Sequence, residues 1–349
     1  MILVVNFVPN FRLVSTLVFL VLLQTGCSAR HDEQPEMLML SGATMGTTFN
    51  LKYYPTAVSL HSVNNVRPAV QVLLDSIEDK MSTYLPDSEI SRFNRAPVGQ
   101  WVELSEQTLK VVKIARMVSE STEGAFDISV APLVNLWGFG PDFSTDSIPD
   151  GQAVENALLR VGYTALETQS TPPALLKSQE MSIDLSGVAK GYAVDQVAEL
   201  FETMGLEVFM VEIGGEIRTR GKKTDGQSWK IGVESPRTDA RSVQRILDVS
   251  GWAMATSGDY RNFFEKNGQR YSHTIDPVTG YPVTHDMASV TVLMHEAAQA
   301  DALATALLVM GPKKALLFAN THKLAALFIV RDGTTYTEVA SGSFRQYFN

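Results

Sequence analysis

The sequence predicts an α+β fold, with largely antiparallel sheets packed against helices in a single compact or bilobed domain. Three observations predict it. Strand-like runs cluster between helical stretches instead of alternating with them one for one, which disfavours a doubly wound parallel sheet. No segment repeats at the roughly 20–50-residue period of a solenoid or propeller. Of the 349 residues, 45% are hydrophobic and 19% charged, a balance that supports one sizeable core.

Taken in order, Thr47 to Tyr54 alternates polar with apolar and aromatic residues and reads as a strand. Val63, Val66, Val70, Leu73, Leu74, Ile77 and Met81 recur at helical spacing, so a helix ends before Pro86. Ser105 is placed to cap a second helix reaching Thr122, with Leu109, Val112, Ala115 and Met117 or Val118 facing inward. A third spans Val188 to Met204 and is closed by Gly205. Strand-like runs follow at Val208–Ile213, Glu216–Arg220, Trp229–Glu234, Arg245–Val249 and Ala288–Met294. A helix from Glu296 to Met310, another from Pro312 to Thr321 and a strand Leu324–Val330 come after them.

Composition narrows the function. Basic residues number 29 against 38 acidic ones, a formal charge of −9. Such a chain lacks the basic footprint that displaces counterions from nucleic acid. The single cysteine, Cys27, excludes an internal disulfide, a CxxC pair and a thiolate zinc site. It follows an apolar run, Leu13 to Leu23, that is shorter than the roughly 20 residues of a membrane-spanning helix. Arg12 before that run and Gln24-Thr25-Gly26 after it describe a secretory signal over residues 1–26. Small residues before a lone Cys resemble a bacterial lipobox, which makes Cys27 a lipid attachment point. A plain signal peptide or an uncleaved anchor would share most of these features. Residues 27–40 then read as a flexible tether and 41–349 as the folded domain. The implied location is the bacterial cell envelope, facing the periplasm and lipid-anchored to the inner or outer membrane.

Several motifs fail on spacing. Gly138-Phe139-Gly140 lacks the third glycine of a dinucleotide-binding turn, and Gly215 to Lys222 has one residue too many between its glycines for a P-loop. Neither GxSxG nor HExxH occurs. Other segments do carry chemistry. In DLSGVAKGYAVD, Asp184 to Asp195, Lys190 stands among glycines and alanines where a helix begins, which suits a phosphate or pyrophosphate. The alternative is close packing at Gly187 and Gly191 with Lys190 in solvent. Asp301 and Thr305 lie one helical turn apart, and their hard oxygens suit Mg²⁺, although an ordinary helix with a self-bonded Thr would look the same. Tyr271 to His285 is a turn-rich loop with Asp276 to Gly280 as its turn and His273 as an acid–base candidate. Tyr84 and Phe126 could stack on a flat ring and Asp127 accept from a ribose hydroxyl; either aromatic could equally be core.

Together these segments resemble the ApbE family. The match runs through Met45-Gly46-Thr47-Thr48, MSTYLPDSEISRFN from Met81, GAFDISVAPLVNLWGFG from Gly124 and DLSGVAKGYAVD from Asp184. It continues through IGGEIRTRG from Ile213, TSGDYRNFFE from Thr256, YSHTIDPVTGYPV from Tyr271 and ADALATALLVMG from Ala300. The resemblance implies a Mg²⁺-dependent FAD:protein FMN transferase. Such an enzyme cleaves the pyrophosphate of FAD, moves FMN to a threonine or serine hydroxyl of a partner protein and releases AMP. It implies FAD contacts at Met45, Tyr84, Ala125, Phe126, Asp127, Asp184, Lys190 and Ile275. It also implies Mg²⁺ at Asp301, Thr305 and the Gly187 carbonyl, and a partner such as a subunit of a membrane Na⁺-pumping or electron-transport complex. His273 is the candidate for receiving the acceptor proton. An FAD pyrophosphatase using water, and a flavin-binding lipoprotein without turnover, remain as alternatives. Ser41-Gly42-Ala43-Thr44 also resembles the acceptor motif of flavinylated partners, but Leu38 stands where that motif carries Asp.

Overall fold

In the computed structural model, which describes residues 36–55, 63–141, 148–236, 242–260, 263–266 and 269–348, the fold begins with a hairpin of β1 (Leu38–Thr44) and β2 (Thr47–Tyr53). There follow α1 (Val63–Met81), α2 (Glu89–Arg95), β3 (Val102–Glu103), α3 (Glu106–Ser121), α4 (Ala131–Leu136) and α5 (Gly151–Leu158). Next come β4 (Leu166–Ser170), β5 (Pro173–Lys177), α6 (Ser186–Thr203), β6 (Phe209–Ile213), β7 (Glu216–Arg220), β8 (Lys230–Glu234) and β9 (Val243–Asp248). Then β10 (Ala253–Gly258), β11 (Phe263–Lys266), β12 (Gln269–Ser272), β13 (Met287–Met294), α7 (Ala297–Thr321), β14 (Ala325–Asp332), β15 (Thr335–Ala340) and α8 (Gly342–Phe348). Cys27 and the whole signal segment lie outside the described residues.

Eight strands form one sheet in the order β1-β2-β6-β7-β10-β13-β14-β15, antiparallel at every pairing. Successive side chains of a strand point to opposite faces, so the central strands feed two cores at once. In β14, Ala326 and Phe328 enter one core while Ala325, Leu327 and Ile329 enter the other. β6 and β10 divide Phe209 and Val211 from Met210, and Ala253 and Ala255 from Met254, in the same way. Helices α1, α3, α6 and α7 cover the first face; the β8–β9 hairpin and α8 cover the second. Burial on both faces explains why these strands read as apolar runs rather than clean alternations. A third cluster of Leu133, Trp137, Val154, Ala157 and Ile275 ties α4 and α5 to the loop after β12. There the Trp137 indole N–H donates to the Gly280 carbonyl at 2.8 Å and its ring stacks on Tyr271.

The helical stripes fall where their spacing predicts. Val66, Val70, Leu74, Ile77 and Met81 of α1 are buried. Ser105 caps α3, its side chain accepting from the Thr108 N–H at 3.2 Å. Of the two alternatives at its inner edge, Val118 is buried and Met117 is exposed. α6 begins at Ser186, ahead of the predicted Val188, and the two helices predicted near the end are the two halves of α7. Gly311, at φ 74°, breaks α7 just ahead of Pro312, where two helices were expected to meet. The tether is corrected at its end. Residues 38–40 belong to β1, paired with Leu51 to Tyr53, because Leu40 is buried beneath the sheet.

Candidate active site

A cleft of about 650 Å³ is bounded by the start of α6, by α7, by the β6–β7 turn, by β8 and β10, and by the loop after β12. Ala125, Phe126, Asp127, Asp184, Gly187, Lys190, His273, Ile275, Asp301 and Thr305 all line it. Segments separated by nearly two hundred positions in the chain thus meet at one wall.

Helix-on-helix contact builds the deepest part. A Cβ on Gly191 would lie 2.3 Å from the Ala297 carbonyl oxygen, so only glycine lets α6 approach α7 this closely. At that contact the Gly191 N–H donates to Asp301 Oδ2 at 3.0 Å. The regular acceptor of this amide within a helix is the Gly187 carbonyl, so sharing it loosens the claim on that oxygen. Glu296 gives α7 no side-chain cap; Asp195 of α6 supplies it instead, accepting from the N–H groups of Ala297 and Ala298 at 3.0 and 2.9 Å. Arg218 of β7 donates to the same carboxylate at 2.7 Å. Burial raises the Asp195 carboxyl, and these hydrogen bonds and the Arg218 charge oppose that rise. The last residue of DLSGVAKGYAVD therefore fixes the start of the helix that carries Asp301 and Thr305.

Lys190 lines the cleft, its side chain 29% exposed and its head held by carboxylates. Its Nζ lies 3.5 Å from both oxygens of Asp301 and 3.3 Å from Glu216 Oε1. Burial alone would lower its pKa, but the Asp301 and Glu216 charges outweigh burial and raise it, so the ammonium persists. Burial pushes the Glu216 carboxyl from 4.5 up to about 8, with Lys190 opposing and Asp301 reinforcing the rise. One cation between two buried carboxylates leaves the second without full compensation. Thr305 Oγ1 sits 2.9 Å from Ser257 Oγ of β10, and a Cβ on Gly187 would be 3.7 Å from the same hydroxyl.

The remaining predicted residues divide into wall, brace and rim. Phe126 is core, with its ring 3.0 Å from where a Gly187 Cβ would stand. Ile275 is wall on the cleft side and packs into the α4–α5 cluster on the other. Asp127 is a brace: its Oδ1 accepts from the Ser129 N–H and hydroxyl at 2.7 Å each, and its Oδ2 from the Tyr163 N–H at 2.9 Å. Burial raises its carboxyl while those bonds hold it down. Asp184 Oδ1 accepts from the Ser186 N–H at 2.7 Å, so the first amide of α6 is engaged by the chain's own carboxylate. His273 lines the cleft with Phe139 edge-on to its ring.

Met45 and Tyr84 do not belong to the lining. Met45 occupies a two-residue turn with Gly46, at φ 49° and 69°, and its N–H donates to Glu78 Oε2. Tyr84 is 61% exposed; partial burial and then the nearby Asp184 charge raise its phenol. Thr44 is buried, which keeps its hydroxyl from any incoming phosphate.

Sequence reasoning missed four residues. Glu216 closes the Gly214-Gly215 turn, and Glu212 holds that turn by accepting from the Gly215 N–H. Asn94 exchanges two hydrogen bonds with Ile183, and buried Lys177 donates to the Asn94 and Met181 carbonyls, bracing the approach to Asp184. The turn glycines were the one available signal; the other contacts depend on tertiary pairing.

Among the described residues no cluster of three or more His, Cys, Asp or Glu side chains stands ready for a metal. Mg²⁺ takes one or two carboxylates and fills its shell with water and substrate oxygens. Asp301, Thr305 and the Gly187 carbonyl are all hard oxygen donors. Glu216 Oε2 is buried without a hydrogen-bond partner among the described residues.

Hard oxygen donors and an ammonium held between two carboxylates share one cleft of this antiparallel α+β fold, a set that suits a phosphate-bearing substrate. A model of the ApbE family matches residues 45–328, and the chain belongs to that family. An FAD:protein FMN transferase of Vibrio cholerae is 42% identical over 94% of this chain and 96% of its own length. One of Haemophilus influenzae is 40% identical over 91% and 93%. The solved flavin transferase ApbE from Vibrio cholerae superposes with a TM-score of 0.83, covering 90% of this chain and 99% of that one at 42% identity. The apo flavinyl transferase ApbE of Pseudomonas stutzeri gives 0.84, covering 90% and 98% at 35% identity.

Proposed function

We propose that the cleft receives FAD with its pyrophosphate beside Lys190 and passes the FMN half to a threonine or serine hydroxyl of a second protein. In this reading Mg²⁺ is held by Asp301, Thr305 and the Gly187 carbonyl. The chain is a transferase that moves FMN from FAD. The observation that carries the reading is the meeting of Lys190, Asp301, Thr305 and Gly187 at one wall.

The hydroxyl oxygen forms a new bond to the FMN phosphorus as the bond from that phosphorus to the bridging oxygen breaks. AMP leaves with the bridging oxygen, and the hydroxyl proton is given up. Such a displacement needs in-line positioning and charge neutralisation more than covalent help. Lys190 supplies a fixed positive charge that the two carboxylates keep protonated. Bound Mg²⁺ would add neutralisation of the pyrophosphate oxygens. His273 lines the same cleft, and in this reading it takes the proton. Phe126 and Ile275 give the cleft apolar wall for a flavin or adenine ring.

The natural acceptor in this reading is a subunit of a membrane Na⁺-pumping or electron-transport complex. The short apolar run before Cys27 supports a lipid anchor on the periplasmic side of the cell envelope. The test is AMP release from FAD and Mg²⁺, with and without an acceptor domain. Release that depends on the acceptor and equals the flavin attached is expected. AMP formed equally without acceptor would make the enzyme a hydrolase, and no AMP under either condition would leave a flavin carrier.

A further inference from the structure

We infer that Glu216 is a positioning residue: it draws the Lys190 ammonium off Asp301, so that the Asp301 carboxylate stays available to a divalent cation. The inference rests on the Mg²⁺ site proposed above. Lys190 stands 3.5 Å from each Asp301 oxygen, beyond the usual 2.7–3.2 Å hydrogen-bond range, and 3.3 Å from Glu216 Oε1. The ammonium is thus shared between carboxylates and committed to neither.

The β6–β7 turn fixes the geometry. Gly214 at φ 61° and Gly215 at φ 103° make the two-residue connection closed by Ile213 and Glu216. The Gly214 N–H donates to the Thr48 carbonyl at 2.9 Å, pinning the turn to β2. A Cβ on Gly214 would lie 3.2 Å from Lys190 Cδ, so the lysine stem crosses the bare glycine before its head reaches the carboxylates. Glu216 itself is 3% exposed, too enclosed to swing away.

The charges give the arrangement its purpose. A cation on Asp301 repels an ammonium held to the same oxygens. Once ionised, Glu216 offers that ammonium a counter-charge at Oε1, 3.3 Å away, and Oε2 has no hydrogen-bond partner among the described residues. Without Glu216, Asp301 becomes the sole carboxylate paired with Lys190 among the described residues, and the lysine competes with the metal for it.

The experiment is a double-mutant cycle on the full chain above about pH 8, where Glu216 is ionised, with Mg²⁺ alone as ligand and its dissociation constant read from the Mg²⁺-dependent rise in melting temperature. Glu216→Gln is expected to weaken Mg²⁺ by about tenfold or more, as removal of a residue that orients a metal ligand does. In the Lys190→Met background the same change is expected to stay within about twofold, because no ammonium remains to be restrained. An equal loss in both backgrounds would overturn the inference, since Glu216 would then act on the cation without Lys190. So would no loss in either. If Glu216→Gln fails to fold, Glu216→Met, which removes the charge and keeps the length of the side chain, carries the same cycle. A wild type whose melting temperature ignores Mg²⁺ would sink the metal reading itself, a result distinct from the other two.

Discussion

Asp195 is the residue through which the site and the fold are joined. It satisfies two amides at the start of α7 and pairs with Arg218, so its removal leaves two buried donors and a part-buried guanidinium with only Glu202, at 4.0 Å, beside it. Asp195→Ala is expected to cost about 3–5 kcal/mol, the range for breaking a buried charge pair, in urea unfolding of the full chain. An effect under about 1 kcal/mol would show that water replaces the carboxylate. Residue roles were unevenly legible. Lys190 stands out by the glycines and alanines at a helix start, while Asp301 and Thr305, one turn apart on a helix, point to a metal only through the family resemblance; all three line the one cleft. Asp127 was read as a ligand contact because it follows an aromatic residue and a glycine, yet its oxygens are engaged by Ser129 and Tyr163. For Glu216 only the glycines of its turn were a signal, because its part depends on the tertiary contact of β7 with α6.

At the scale of elements, the packing of α6 on α7 is what sets the distance between Lys190 and Asp301. Gly191→Ala places a methyl 2.3 Å from the Ala297 carbonyl oxygen and 2.8 Å from Ala298 Cα, backbone atoms that yield only if a helix moves. The expected outcome is a loss of about 1–3 kcal/mol in denaturant unfolding, with a larger proportional loss of AMP release than of stability. Retained activity at wild-type level would mean that the helix spacing is not what the site needs. Long amphipathic elements such as α1 and α3 were legible because a stripe of apolar residues at helical spacing has few other uses. β1, β10 and α2 were not. LMLSGAT and AMATSG hold few β-branched or aromatic residues, and their strand form comes from neighbours on the sheet. The seven residues of α2 are too few for their periodicity to stand out.

For the whole molecule, stability and metal binding are linked through the buried acidic pair. Glu216 binds its proton more tightly folded than unfolded, its carboxyl being lifted from 4.5 to about 8. Its contribution to the metal-free fold is therefore complete below about pH 4.5 and is lost as pH rises through about 8. The melting temperature of EDTA-treated wild type should fall over that interval more steeply than that of Glu216→Gln. Parallel curves would remove Glu216 from the titration. The antiparallel α+β class itself was legible from the clustering of strands, while the two-sided loading of the sheet was not, because its strands are buried on both faces. The account turns on where FMN goes. Its most direct test is the intact mass of an acceptor domain incubated with the enzyme, FAD and Mg²⁺. The prediction is a gain equal to FMN less water, one AMP per flavin, and neither with Asp301→Ala. AMP accumulating beside an unmodified acceptor would contradict it.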